Sequence, residues 1–381
     1  MFRGPGPGQL VSSTGRTTLH PQQITAHIKQ LQQFIKAAWD TPCHNCMANI
    51  TAEMDVKGTI NQWFNNSRSA HGNIYLCTRK CAKCRALTCL GCGEAPRKAD
   101  PHMINDHFLS WCCLDGRLLT LWMLLCRFDM IEIELRTLSQ ELTQSNQPQR
   151  RGNMLSGVSG VGYTRRSGYE RLDPWLVMME PSQGRSNGMS GVQLKEEDPQ
   201  VEEFVRWIMD LVAFVLPGSQ AKEVEPLLAM LELSMVIDKA AELLRNDSLD
   251  NIMTRAKVYQ SVLNLVEKIG AHQVLLRLVQ DGRFSKTRSS GLQNISFAMD
   301  STGATRTPQQ LLVLANDNKD QSLAKRLENL AIQSEFVLGL PGSEPALKRM
   351  CQQISSVYMS IMKKEESIQA TKLSTFTKQI R

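Results

Sequence analysis

No run of apolar residues in this chain of 381 reaches the roughly 20 that a helix needs to cross a bilayer. The longest, Leu118 to Cys126, meets Arg127 and Asp129 at once, and Leu211 to Leu216 ends at Pro217. Both are expected as buried helices, and no membrane contact is expected. The opening MFRGPGPGQLVSSTGR lacks an apolar stretch of signal-peptide length, which places the chain in the cytosol or the nucleus. Walker-type and Rossmann-type glycine motifs and a Ser/His/Asp hydrolase pattern are also missing, which removes the commonest nucleotide-binding and hydrolytic classes. With 42% hydrophobic and 21% charged residues, the chain is not wholly disordered, and its length suits two or three domains.

What the sequence does have is clustered cysteine. Of eleven cysteines, nine fall between Cys43 and Cys113. Disulfides do not persist in a reducing compartment, so the clustering points to metal. Three pairs share one spacing, Cys43-x2-Cys46, Cys81-x2-Cys84 and Cys89-x2-Cys92. A structural zinc ion takes four soft ligands in a tetrahedron, and two cysteines on one turn can present both sulfurs to it. Cys77, His102, His107, Cys112 and Cys113 complete a set larger than two such sites can use. Taken in chain order, Cys43, Cys46, Cys77 and Cys84 would hold one zinc ion and Cys89, Cys92, His107 and Cys112 a second. Cys81, His102 and Cys113 are the respective replacements for Cys77, His107 and Cys112. His44 and His71 read as surface loop residues. Cys126 and Cys351, in helical sequence, read as core or helix-face residues.

Residues 1–20 are expected to be disordered. Ile24, Ile28, Leu31, Ile35 and Ala38 recur at helical steps between Pro21 and a stop before Thr41-Pro42. Residues 21–143 then form a zinc module with flanking helices, including short strand-like pieces such as Asn73 to Leu76 and an apolar helix from Leu114 to about Leu142. Residues 144–197, with eight glycines, read as a flexible linker in which Tyr163, Tyr169 and Trp175 are aromatic exceptions. Residues 198–381 form an α-helical array, with helices at Val201–Leu216, Leu227–Leu244, Leu249–Ile269, His272–Val279, Gln321–Leu338 and Pro345–Ile368. A polar gap separates the fourth from the fifth. The expected class is mostly α, a small Cys-rich zinc module of short strands and loops followed by that array. The burial of the array is read as independent of the metal.

The net charge of +7 is uneven. Arg79 to Lys98 holds six basic residues and one acid, a surface for an acidic partner or nucleic acid. A solvated face of the zinc module is the simpler reading.

The run Cys84-x4-Cys89-x2-Cys92, the later His107-x4-Cys112 and the upstream Cys43, Cys46 and Cys77 together resemble the in-between-RING (IBR) zinc fold of ubiquitin-ligase proteins. YLCTRKCAKCRALTCLGCGEAP, WCCLDGRLLTLWMLLCRFD, DKAAELLRNDSL and SSGLQ are similar to the N-terminal portion of large multidomain ubiquitin-conjugating proteins, over about residues 20–360. There a zinc module and a helical region precede an E2 core. The acceptor-cysteine motif of that core, H-P-N, does not occur here. The resemblance therefore implies a zinc-binding, non-catalytic interaction protein of the ubiquitin system, whose partner is ubiquitin or an enzyme of its pathway. Two alternatives stand beside it. One is a cysteine-dependent ubiquitin transferase using a thiol outside both metal shells, with Cys81, Cys113 and Cys126 as candidates. The other is a zinc protein that binds nucleic acid, whose affinity would fall steeply with salt.

Overall fold

The computed structural model describes residues 21–50, 55–69, 74–97, 100–145, 199–218, 225–245, 248–298 and 306–380. The expected disordered terminus, nearly all of the expected linker with its three aromatic residues, and His71 lie outside these. Among the described residues the chain is mainly helical, with three small antiparallel strand pairs.

Apolar spacing explains where most helices form. In α1 (Pro21–Trp39) the stripe Ile28, Leu31, Ile35 and Ala38 is buried. Helix α2 (Val56–Asn66) buries Val56, Ile60, Trp63 and Phe64 on one face. Helix α3 (Leu114–Ser145) differs, because every residue from Leu118 to Asp129 is buried. A helix covered on all sides is the axis of its fold. It is packed by α2, by α4 (Pro199–Val215), by α5 (Glu225–Leu233) and α6 (Val236–Leu243), and by α10 (Leu292–Phe297). On the far side of α4 lie α7 (Leu249–Thr254) and α8 (Ala256–Ala271), followed by α9 (Leu276–Gln280). The short α11 (Pro308–Leu311) precedes an antiparallel pair, α12 (Leu323–Gly339) and α13 (Pro345–Ile380), of which α13 returns onto α8.

Three departures from the sequence expectation have identifiable causes. The helix expected over Leu227–Leu244 is broken at Ser234, because the buried carboxylate of Asp129 on α3 accepts hydrogen bonds from Ser234 Oγ (2.7 Å) and Met235 N (2.8 Å). Its other oxygen accepts from Leu292 N at 2.9 Å, at the start of α10. One side chain thus supplies an anion to the first turns of two helices. The expected Leu249–Ile269 helix is likewise two, split at Arg255, which pairs with Glu202 of α4. The expected polar gap after Val279 holds β5 (Arg283–Ser289), which pairs across α10 and α11 with β6 (Leu312–Asp320).

The cysteine-rich segment and the helical array share one hydrophobic core. Trp39 of α1 packs edge-on against Trp122 of α3 and Phe297 of α10, at 5.5 and 5.1 Å between ring centroids. Arg117, one turn into α3, donates from Nε to the carbonyl of Val215 (2.7 Å) and from Nη2 to those of Phe214 (3.2 Å) and Leu216 (2.5 Å). A planar fork on the last carbonyls of α4 satisfies groups the helix cannot pair itself and opposes its negative end. Arg117→Lys loses the fork, and the expected cost is about 2 kcal/mol, readable as a lowered midpoint in chemical denaturation with the zinc content unchanged.

Candidate metal centres

A single local turn, repeated three times, places the paired cysteines. In the first, Cys43 N donates to Ala48 O (2.8 Å) and Met47 N to Cys43 O (2.9 Å). In the second, Cys81 N donates to Ala86 O and Arg85 N to Cys81 O, both at 2.8 Å. In the third, Cys89 N donates to Glu94 O (2.8 Å) and Gly93 N to Cys89 O (2.9 Å). The residue after the second cysteine is left-handed each time, with φ of 57° at Met47, 61° at Arg85 and 73° at Gly93. Only the third uses glycine, so the first two hold a conformation that costs a side-chain-bearing residue about 1 kcal/mol or more. A metal drawing both sulfurs of each turn together offsets that cost.

The hairpin of β1 (Thr78–Lys80) and β2 (Leu87–Cys89) carries the second turn at its tip and delivers the third at its base. The first turn docks on this hairpin, where Thr88 Oγ1 lies 3.2 Å from His44 N and 3.0 Å from its Nδ1. Two sets of four sulfurs result, Cys43, Cys46, Cys81 and Cys84 in one and Cys89, Cys92, Cys112 and Cys113 in the other, each set within 4.8 Å. Zinc–sulfur bonds of about 2.3 Å imply tetrahedron edges of about 3.8 Å. Cys43–Cys84 and Cys46–Cys81 stand at 3.5 Å, Cys89–Cys113 at 3.8 Å and Cys92–Cys112 at 3.7 Å. Each set is the donor set of a closed structural zinc site, and two zinc ions are accommodated.

Electrostatics point the same way. Burial first, and then its neighbour Cys89, push the Cys112 thiol up to about 12, and Cys89 first, then burial, raise the Cys113 thiol well above the ordinary thiol range. Sulfurs this close cannot all be thiolates alone, whereas a dication reverses the penalty.

The structure regroups the residues expected from sequence. Cys81 stands in the first set where Cys77 was placed, because a C-x2-C turn keeps both its sulfurs on one ion. Cys77 is buried at the second set instead, beside Cys89 and Thr120. Cys113 joins Cys112, both at the entry to α3, and Gly116 N donates to Cys113 Sγ at 3.1 Å. His107 belongs to neither set. It lies in β4 (His107–Leu109), paired with β3 (His102–Ile104), where its Nδ1 is 2.7 Å from Ser67 Oγ and its ring sits 4.3 Å from Phe64. Burial, and then Arg68, lower its basicity to about 4, so it packs as a neutral ring. His102, its alternative, stacks on Trp111 at 5.6 Å. Cys126 and Cys351 are buried in α3 and α13.

Close backbone approach at the second set requires glycine at 91 and leaves little room for a side chain at 116. A Cβ on Gly91 would stand 2.3 Å from Gly116 N, and one on Gly116 would meet the sulfurs of Cys77, Cys113 and Cys89 at 3.1 to 3.3 Å. Gly116→Ala is therefore expected to loosen the second centre alone, with zinc released to a chromogenic chelator at least tenfold faster for one ion and unchanged for the other.

No family model matches this chain, and no curated protein and no solved structure matches it.

Proposed function

We propose that this chain is a non-catalytic interaction protein of the ubiquitin system, in which two zinc ions shape the contact surface and lock it to a helical body. The observation that carries the reading is the fate of the clustered thiols: eight stand in two four-sulfur sets and the ninth, Cys77, is buried behind one of them. Of the thiols a transferase would need outside the metal shells, Cys81 and Cys113 are in the sets, and Cys126 is buried with its thiol pushed well above the usual range. A nucleophilic cysteine requires the opposite, an accessible thiolate. Met47, in the first turn, and Leu87, at the start of β2, are exposed, as are Lys80, Lys83 and Arg85 on the hairpin that carries Leu87. An apolar contact with a basic rim suits a protein surface that is acidic at its edge. The ubiquitin system is supported by the cysteine spacing and the sequence runs that resemble ubiquitin-ligase and ubiquitin-conjugating proteins.

The test combines two measurements on the zinc-loaded chain. Incubation with ubiquitin-activating enzyme, a charged conjugating enzyme and ubiquitin should yield no thiol-sensitive adduct. Nuclear magnetic resonance titration with ubiquitin, and separately with the conjugating enzyme, should perturb residues around Met47 and Leu87, and Met47→Ser with Leu87→Ser should abolish the effect. An adduct lost on replacing one cysteine would establish transferase chemistry instead. Binding to neither protein would remove the ubiquitin system from the reading.

A further inference from the structure

The second metal centre has a fifth sulfur beside it. Cys77 belongs to neither four-sulfur set, yet a Cβ added to Gly116 would be ringed by three sulfurs, Cys77 at 3.1 Å, Cys113 at 3.2 Å and Cys89 at 3.3 Å. The backbone holds Cys77 in that place. Its carbonyl accepts from Leu90 N at 2.9 Å, and the next residue, Thr78, pairs with Cys89 across the β1–β2 hairpin. The Cys77 side chain is fully buried, so its chemistry is confined to what adjoins it, and two of its neighbours are metal-binding sulfurs.

The four sulfurs of the set differ in access. Cys89 is buried, Cys112 and Cys113 are half-buried and Cys92 is exposed. Zinc holds its cysteines as thiolates, and the thiolate is the nucleophilic form of the residue. Cys92 is therefore the ligand that an electrophile arriving from solvent meets first. Capping it turns a thiolate into a thioether, which is a much poorer ligand for zinc. Cys77 stands on the opposite, inner side of the set, next to Cys89 and Cys113.

We propose that Cys77 is a reserve ligand of the second centre, which takes the place of Cys92 when that exposed sulfur is capped by an α,β-unsaturated carbonyl compound. The Cys92 sulfur bonds to the β-carbon of the electrophile and gives up its bond to zinc. Cys77 takes over that bond, and the proton its thiol releases balances the one the α-carbon takes up. Cys77, Cys89, Cys112 and Cys113 then hold the ion, and the start of α3 stays anchored through a modification at the surface. The inference rests on the two-zinc reading and is independent of the ubiquitin system.

Competition with a chromogenic chelator on the zinc-loaded full chain tests the exchange. Cys77→Ser and Cys92→Ser should each weaken the second ion by less than about tenfold, and together by more than about a hundredfold, because only the double variant leaves the centre three cysteines. Cobalt(II) loaded in place of zinc should keep its sulfur-to-metal charge-transfer intensity in both single variants and lose part of it in the double one. Cys77→Ala repeats the comparison without placing a hydroxyl in the core. In native mass spectrometry, chains capped once at Cys92 by N-ethylmaleimide should carry two zinc ions in the parent protein and one in Cys77→Ala. A loss in Cys92→Ser as large as that of the double variant, or a capped parent chain that has shed an ion, would overturn the assignment. Fewer than two ions on the unmodified parent would overturn the two-zinc reading, and this inference with it.

Discussion

Replacing Cys89 and Cys92 by serine is expected to remove one zinc ion per chain and to unfold the helical array with it, whereas replacing Cys43 and Cys46 should remove the other ion and leave the main helical transition nearly unchanged. The asymmetry follows from what each centre holds. The first organises two turns at the tip and flank of the β1–β2 hairpin, outside the main helices. The second includes Cys112 and Cys113, the residues immediately before α3. Helix α3 is the buried axis of the array, and Arg117 in its first turn fastens the end of α4. Structural zinc supplies on the order of 10 kcal/mol of folding free energy in small zinc peptides at neutral pH, comparable with the whole stability of a typical domain. Elemental analysis with thermal unfolding followed by far-UV circular dichroism checks both halves. An array that melts identically with and without the second zinc would refute the coupling.

The single core shared by the cysteine-rich segment and the array departs from the independent burial expected from sequence, and the reason is physical. The apolar run after Cys113 is legible as a buried helix, but its low contrast between faces hides which neighbours cover it. The three C-x2-C turns were equally legible, since each needs only six consecutive residues. Their pairing was not, because the first and second turns meet through the docking of His44 on Thr88, a contact between segments 44 residues apart. Keeping each C-x2-C pair intact is the one rule that would have put Cys81 with Cys84. His107 had the right residue type for a ligand and the wrong surroundings, and only Trp63, Phe64 and Ser67 around it reveal a packed neutral ring. The break at Ser234 is imposed by Asp129, 105 residues earlier, inside a stretch whose own pattern is continuously helical. Strands β5 and β6 are polar and pair over a gap, so neither carries a local signal strong enough to stand out.

Asp129 and His107 should give the protein two opposed pH dependences that nearly cancel. Burial pushes the Asp129 carboxyl up to about 6, from an ordinary 3.8, although Ser234, Met235, Lys286 and Leu292 all pull it down. Between those values the folded chain keeps a proton that the unfolded chain has lost, so stability falls as pH rises. His107 behaves in the opposite sense. Burial lowers it from 6.5 to about 4, the unfolded chain takes up the proton first, and stability is lost as pH falls. Asp129→Asn removes the first dependence and should leave a stability that climbs by about 1 kcal/mol per pH unit between about pH 5 and 6. His107→Gln should leave one that declines over the same interval by a similar amount. Asp129→Ala tests the geometry independently of titration. It strands the donors of Ser234, Met235 and Leu292 together, at about 1–3 kcal/mol each, and should be the most destabilising of the three at every pH. Urea unfolding in excess zinc, compared with the parent protein at each pH, isolates these differences because the metal contribution is common to all. Parallel stability curves for the parent, Asp129→Asn and His107→Gln would show that neither group titrates differently on folding.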